Sequence, residues 1–363
     1  MALLVVSLGY ACGTSQGPQC EDPDFTVTDV ATLCPGSSPS HVVFHTFWSA
    51  LDQRYAVFDV RLPNHDWEQL GREACSHIHP DMGDDDLFAL LMDLARVLDD
   101  GHVELISEQR EADAQRSPYP HEEALEVLPE SVERHYLDGP LQGSGNPITW
   151  GRADDLGYLS LTGMDTLTDG GDDEAVDVRA ARNALREALV AFRGARGVVV
   201  DVRANEGGWD AVGLEIARWF EGPAVSPVWS KQLRNGPEQG DFGALQPVTL
   251  DASEPEAFAG PVVVLTSGAT FSAGETFVLA MRQRPAVTVL GEPTSGHFSD
   301  IGTVCLPNGW ALGLSSERYI APDGTVVEGR GVGVDIAVPL NPEGLVQGRD
   351  AMLEAAFQHL RRP

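Results

Sequence analysis

Three short runs constrain this chain more than any other feature: GVVVDVR at 197–203, PVVVLTS at 261–267 and AVTVLGE at 286–292. Each is a near-continuous aliphatic stretch rich in β-branched residues and bounded by turn formers, which is the pattern of a strand buried on both faces. Helical patterns occupy 174–192, 211–220 and 273–282, and LGYLSL at 156–161 opens the series. Buried strands joined by helices imply an α/β fold, a largely parallel sheet built of right-handed βαβ units. A β-rich tail follows in TVCLPNGWALGLS, where Asn308-Gly309 signals a hairpin, and a last helix over 350–360 is expected to pack back on the core.

The earlier part of the chain has a different texture. From His41 to Leu98 apolar residues recur at helical spacing, as in Phe44, Phe47, Trp48 and Leu51, with further helical stretches at 67–78 and 87–97. The expected organisation is a leader and linker over 1–20, a helical domain over 21–106, a charged connector over 107–147, an α/β domain over 148–345 and a C-terminal helix over 346–363.

Composition removes several functions. A formal charge of −31 at pH 7 speaks against nucleic acid as a partner, because phosphate binding needs clustered lysine and arginine. The acidic runs Asp84-Asp85-Asp86 and Asp172-Asp173-Glu174 read as solvated helix ends or loops, not as oxygen cages. Cys75, His77 and His79 alternate as ligands do, yet no second cluster stands at zinc spacing, so no metal is expected, and no organic cofactor either. The sole lysine is Lys231, in the polar stretch VWSKQLRNGPEQGD, which reads as a solvated surface position.

The N-terminus, MALLVVSLGYAC, resembles the lipid-attachment box of an exported lipoprotein, with Cys12 as the acceptor and a cell-envelope or periplasmic location, lipid-anchored to a membrane. A truncated start and a plain N-terminal strand are the competing readings. With Cys12 lipidated, Cys20, Cys34, Cys75 and Cys305 remain, which permits two disulfides in three pairings or four buried thiols.

The chemistry centres on TSGATFSAGETF, 266–277, where Ser272 stands between a buried strand and the first turn of a helix. Backbone N–H groups and the positive end of the helix dipole favour a developing oxyanion there, so Ser272 occupies a nucleophile's position. The competing reading is an N-cap serine satisfying the helix start. In DVRANEGGWD, Gly207 and Gly208 follow a strand directly, and glycines there let backbone amides approach a carbonyl.

Four motifs in order, GVVVDVRANEGG, VVVLTSGATFSAGE, VLGEPTSG and DGTVVEGRGVGVDIAV, resemble the C-terminal processing and tricorn-type serine peptidases, whose core is the crotonase-like (ClpP/crotonase) α/β fold. The likeness extends more loosely to RYAVFDVRLPNHDW and LARVLDDGHVEL in the helical domain. It implies Ser272 as nucleophile, an oxyanion hole from the N–H of Ala273 with that of Gly207 or Gly208, and a peptide or protein substrate lying along the sheet edge. In the tail-specific branch a lysine base stands in the segment that here reads PTSGHFSD, and its place is taken by His297. The tricorn-type branch uses a histidine and a glutamate whose positions match His102 and Glu328.

Imidazole suits the base's task because it titrates near neutrality, and a carboxylate beside it fixes the tautomer. Against these roles stand a histidine that merely follows a helix, for His102, and a surface carboxylate in a turn, for Glu328. His297 is the rival base. Only 55 positions separate His102 from Gly157; with the connector inside that interval, a PDZ module of about 80 to 100 residues has no room. The function expected is a serine peptidase; the alternatives are a non-catalytic binding protein of the same fold and a crotonase-like acyl hydrolase. Oligomeric state is left open.

Overall fold

The computed structural model describes residues 30–143, 146–168, 173–238 and 240–362. Cys12, with its expected lipid, and Cys20 lie outside the described residues. The chain divides into two compact units: Met1–Ser117, Lys231–Gln246 and Ser299–Tyr319 form one, and Pro118–Ser230, Pro247–Phe298 and Ile320–Pro363 the other. Among the described residues no helix is long and apolar enough to cross a membrane.

In the first unit, helices Pro39–Arg54, Trp67–Cys75 and Asp84–Ala95 follow the expected apolar spacing. Pro39 takes a first-turn position, where its missing N–H loses nothing. Asp66 caps the second helix by accepting the Gln69 N–H at 3.0 Å. Phe44, Phe47, Leu51, Trp67, Phe88 and Leu91 meet in one core. An antiparallel sheet in the order Ile301–Cys305, Ala311–Ser315, Glu104–Ile106, Glu111–Asp113 completes the unit. The expected hairpin at Asn308-Gly309 is present, with Gly309 at φ +85°. Although the hairpin lies inside the 148–345 interval, its second strand pairs with Glu104–Ile106, Leu105 standing opposite Leu312.

A disulfide joins Cys34 to Cys75, and Cys305 is also disulfide-bonded. Closing a loop of 41 residues restricts the denatured chain, an effect worth about 4 kcal/mol in the chain-entropy model. The buried-thiol reading therefore fails for these three cysteines. The Cys75, His77, His79 set also loses its thiolate, and the one metal-like grouping among the described residues, Cys34, His41 and Cys75, contains both bonded sulfurs.

The second unit is built on a six-stranded sheet in the order Ile148–Ala153, Leu156–Leu161, Gly197–Asp201, Val262–Thr266, Val287–Gly291, Ile336–Ala337. The first pair is antiparallel and the rest are parallel. Strand order follows chain order throughout, so right-handed crossovers place every connecting helix on the same face. Helices Glu174–Ala191, Asp210–Ala217 and Ala273–Met281 accordingly pack on one another. Helix Ala351–Leu360 packs on the sheet through Met352, Leu353, Ala356 and Phe357, which share a core with Tyr158, Val199, Val263 and Leu265. The segment read as a charged connector holds strand Glu111–Asp113 and helices Glu122–Leu125 and Leu128–Tyr136. Leu125, Leu128 and Val132 bury themselves in that same core, which gives these short helices a packing partner that local periodicity does not reveal.

One buried charge network joins the sheet to the last helix. The Arg203 guanidinium, fully buried, donates to Asp201 at 2.9 and 2.7 Å and to Asp350 at 2.9 and 2.7 Å. Asp350 also caps the helix by accepting the Leu353 N–H at 3.0 Å, and the Tyr158 hydroxyl donates to Asp201 at 2.9 Å. This network lies directly before the Asn205–Gly208 turn in sequence.

Candidate active site

The C-terminal ends of three neighbouring parallel strands supply the site in the second unit. Strand Gly197–Asp201 leads to Asn205, Gly207 and Gly208; Val262–Thr266 leads to Ser272; Val287–Gly291 leads to the strap 294–298. The loop before Ser272 is fixed to the neighbouring loop: Ser267 Oγ donates to the Arg203 carbonyl at 2.6 Å and Thr270 Oγ1 to the Val202 carbonyl at 2.9 Å. The Phe271 N–H donates to the Asn205 carbonyl at 2.9 Å.

Ser272 is then held at φ +52°, ψ −123°, a backbone conformation unfavourable for a residue with a side chain. Strain of this kind costs about 1–3 kcal/mol and persists only where neighbours enforce it. Its hydroxyl makes no capping bond to the helix Ala273–Met281 that follows. The N-cap reading of Ser272 is thereby corrected: the serine occupies the cap position without performing the cap's work.

A Cβ added to Gly207 would lie 2.7 Å from Ser272 Cβ and 3.2 Å from its Oγ, so the glycine turn lies against the serine, and Gly207 and Gly208 hold φ +107° and +121°. The Gly207 N–H donates to Asn205 Oδ1 at 3.0 Å and is already engaged. The N–H groups of Gly208 and Ala273 have no acceptor among the described residues. Of the two glycines considered from sequence, Gly207 has its N–H taken by Asn205.

Strap 294–298 links the remaining groups of this unit. The Ser272 N–H donates to the His297 carbonyl at 3.0 Å. Glu275, one turn into the serine helix and fully buried, accepts the N–H groups of Gly296 at 2.7 Å and His297 at 2.6 Å, and the Thr294 hydroxyl. Burial, with a smaller contribution from the nearby Glu328, pushes its carboxyl up to about 8 against the hydrogen bonds from Thr294, His297 and Gly296. Glu328 is itself buried, and its Oε2 accepts the Phe298 N–H at 2.9 Å, which removes the surface-carboxylate reading. The His297 ring stacks on Phe271 at 4.8 Å between centroids, and its Nδ1 is 2.7 Å from Ser295 Oγ.

His102 belongs to the first unit, in the turn before Glu104–Ile106. Asp100 shapes that turn: its Oδ1 accepts the His102 N–H at 2.9 Å, and its Oδ2 accepts the hydroxyls of Tyr55 at 2.8 Å and Ser315 at 2.7 Å. The His102 ring is buried. Burial lowers its pKa below the ordinary histidine value, against the pull of Asp100 and Asp300 and with a smaller push from Arg61, so the neutral, proton-accepting form is favoured.

The model of peptidase family S41 matches residues 155–338, half of the chain. The chain belongs to peptidase family S41. The family match takes in Ser272, Ala273, Gly207, Gly208, His297 and Glu328, whereas His102 precedes it. Among curated S41-like relatives, carboxyl-terminal-processing peptidase 2 of the Arabidopsis thaliana chloroplast is 27% identical over 211 residues, covering 57% of this chain and 35% of its own. The carboxy-terminal-processing protease of Bartonella bacilliformis is 27% identical over 186 residues, covering 51% and 39%. The chain thus spans little more than a third of the length of these relatives. A solved structure of a candidate peptidase from Parabacteroides merdae superposes with a TM-score of 0.76 at 26% identity, covering 90% of this chain and 98% of its own.

For an S41 chain the setting of the sole lysine matters, and here the surface reading is corrected. Lys231 Nζ is paired with Asp300 and, at 2.7 Å, with Glu317, and its side chain is only 23% exposed. Burial opposes the charge, but the two carboxylates outweigh it and hold the ammonium pKa above its ordinary value. Such a lysine stays protonated at neutral pH and cannot accept a proton. Sequence reasoning missed Asp100, for which the Asp-Asp-Gly turn before His102 was the available signal, and gave no role to Asn205, whose side chain fixes Gly207 and donates to the Leu161 carbonyl at 2.9 Å.

Proposed function

We propose that the chain is a serine peptidase of the tricorn-type arrangement, with a crotonase-like core and no PDZ module. Ser272 Oγ attacks a peptide carbonyl as His102 removes its proton. The carbonyl oxygen, now an oxyanion, takes hydrogen bonds from the N–H groups of Ala273 and Gly208. His102 then delivers the proton to the leaving nitrogen as the C–N bond breaks, and water hydrolyses the acyl-enzyme by the same steps in reverse order. Glu328 orients the imidazole and stabilises its cation. His297 positions the serine through its backbone and meets the substrate with its ring. The scheme calls on no metal or organic cofactor. Export to the cell envelope belongs to the same reading, in keeping with the disulfide between Cys34 and Cys75.

The observation that supports this reading is the strained, uncapped Ser272 with the Gly207 turn packed against it. The test is digestion of an unfolded protein such as casein, followed by mass spectrometry. Wild type is expected to release peptides, and Ser272→Ala to release them at least about 10³-fold more slowly. Equal release by both proteins, or none by a folded wild type, overturns the proposal, the second result favouring a binding protein of the same fold.

A further inference from the structure

Glu275 does not face the reaction in the scheme above, yet every connection around it leads to a residue that does. Its two oxygens take two consecutive amides of the strap, Gly296 on Oε2 and His297 on Oε1. The next amide along, that of Phe298, goes to Glu328. The carbonyl between them, that of His297, takes the Ser272 N–H. Thr294, at the start of the strap, donates to Glu275 and in turn accepts the Val332 N–H at 2.7 Å. Gly329 closes the circuit by donating to the Gly296 carbonyl at 2.8 Å. A single carboxylate in the serine helix therefore sets the path of the segment that holds both the strained nucleophile and Glu328.

We infer that Glu275 is a positioning residue, whose carboxylate fixes strap 294–298 so that Ser272 and Glu328 keep their catalytic registration. This rests on the serine-peptidase reading. A carboxylate suits the task because it only accepts, and three donors converge on it. Glutamine in its place presents one oxygen and one NH₂ group, and in either orientation the NH₂ faces a backbone N–H, of Gly296 or of His297. Burial opposes the charge of the carboxylate and pushes the carboxyl up to about 8, so the ionised form depends on the three converging donors.

The inference is tested by the kinetics of fluorophosphonate labelling, which separate probe binding (KI) from the bond-forming step (kinact). Glu275→Gln is expected to lower kinact at Ser272 by about 10- to 100-fold with KI changed less than about 2-fold, as for a group that acts on transition-state geometry. Thr294→Val, which preserves shape but removes both the donor to Glu275 and the acceptor of the Val332 N–H, is expected to show a smaller loss of the same kind, and it decides the matter if Glu275→Gln does not fold. A rise in KI with kinact unchanged, or wild-type values in a folded variant, overturns the inference while leaving Ser272 as nucleophile. Failure of wild type itself to label overturns the peptidase reading, and the inference with it.

Discussion

Replacing His102 by alanine is expected to lower kcat/KM for peptide hydrolysis by about 10²- to 10⁴-fold, the contribution of a positioned general base. The pH profile of wild type carries the same information. A base works unprotonated, so the rate falls as pH drops through the folded-state pKa; burial holds that pKa below the ordinary histidine value, and the acid limb is expected below about pH 6.5. Glu328→Gln is expected to lower kcat with KM nearly unchanged, because the partner of the imidazolium matters only as charge develops. His297→Ala is expected to act mainly on KM, since its ring is stacked on Phe271 and bonded to Ser295. Steady-state kinetics of the three variants decide between the histidines. A large kcat loss in His297→Ala with His102→Ala unimpaired would exchange their roles.

The second large effect is on stability. Arg203→Met is expected to destabilise the protein by about 3–5 kcal/mol, because it strands Asp201 and Asp350 in the interior without their cation. Both carboxylates are buried, and between them they take all four of the guanidinium contacts described above. Urea unfolding followed by circular dichroism measures the loss as a lower midpoint at unchanged slope. Adding Asp201→Asn and Asp350→Asn to Arg203→Met is expected to recover part of it, because no unpaired charge then remains. A midpoint unchanged in Arg203→Met would mean that the three charges contribute nothing net.

The buried strands were legible in the sequence because burial on both faces leaves a continuous aliphatic run, and Gly197–Asp201, Val262–Thr266 and Val287–Gly291 appear where such runs stand. The hairpin at Asn308-Gly309 was legible for a local reason, the turn chemistry. Its pairing with Glu104–Ile106 was not, since strands about 200 residues apart leave no periodic mark of their partnership. Helix Glu122–Leu125 is a single turn and too short to show a period, and it and Leu128–Tyr136 are stabilised by tertiary burial of Leu125, Leu128 and Val132. At the site, residue types pointed to Ser272, but nucleophile and N-cap differ in backbone angles and hydrogen bonds, which sequence does not state. The same holds for Lys231, whose polar neighbours suggested solvent while its partners Asp300 and Glu317 lie 69 and 86 positions away, and for Gly207, whose N–H is taken by Asn205.

The central claim is that Ser272 is a reactive nucleophile, and mapping the site of fluorophosphonate attachment by tandem mass spectrometry tests it most directly. The account predicts one adduct per chain, on Ser272, lost in Ser272→Ala and weakened as pH falls with protonation of the base. A folded, disulfide-intact protein that takes no label, or that takes it on another serine, would contradict it.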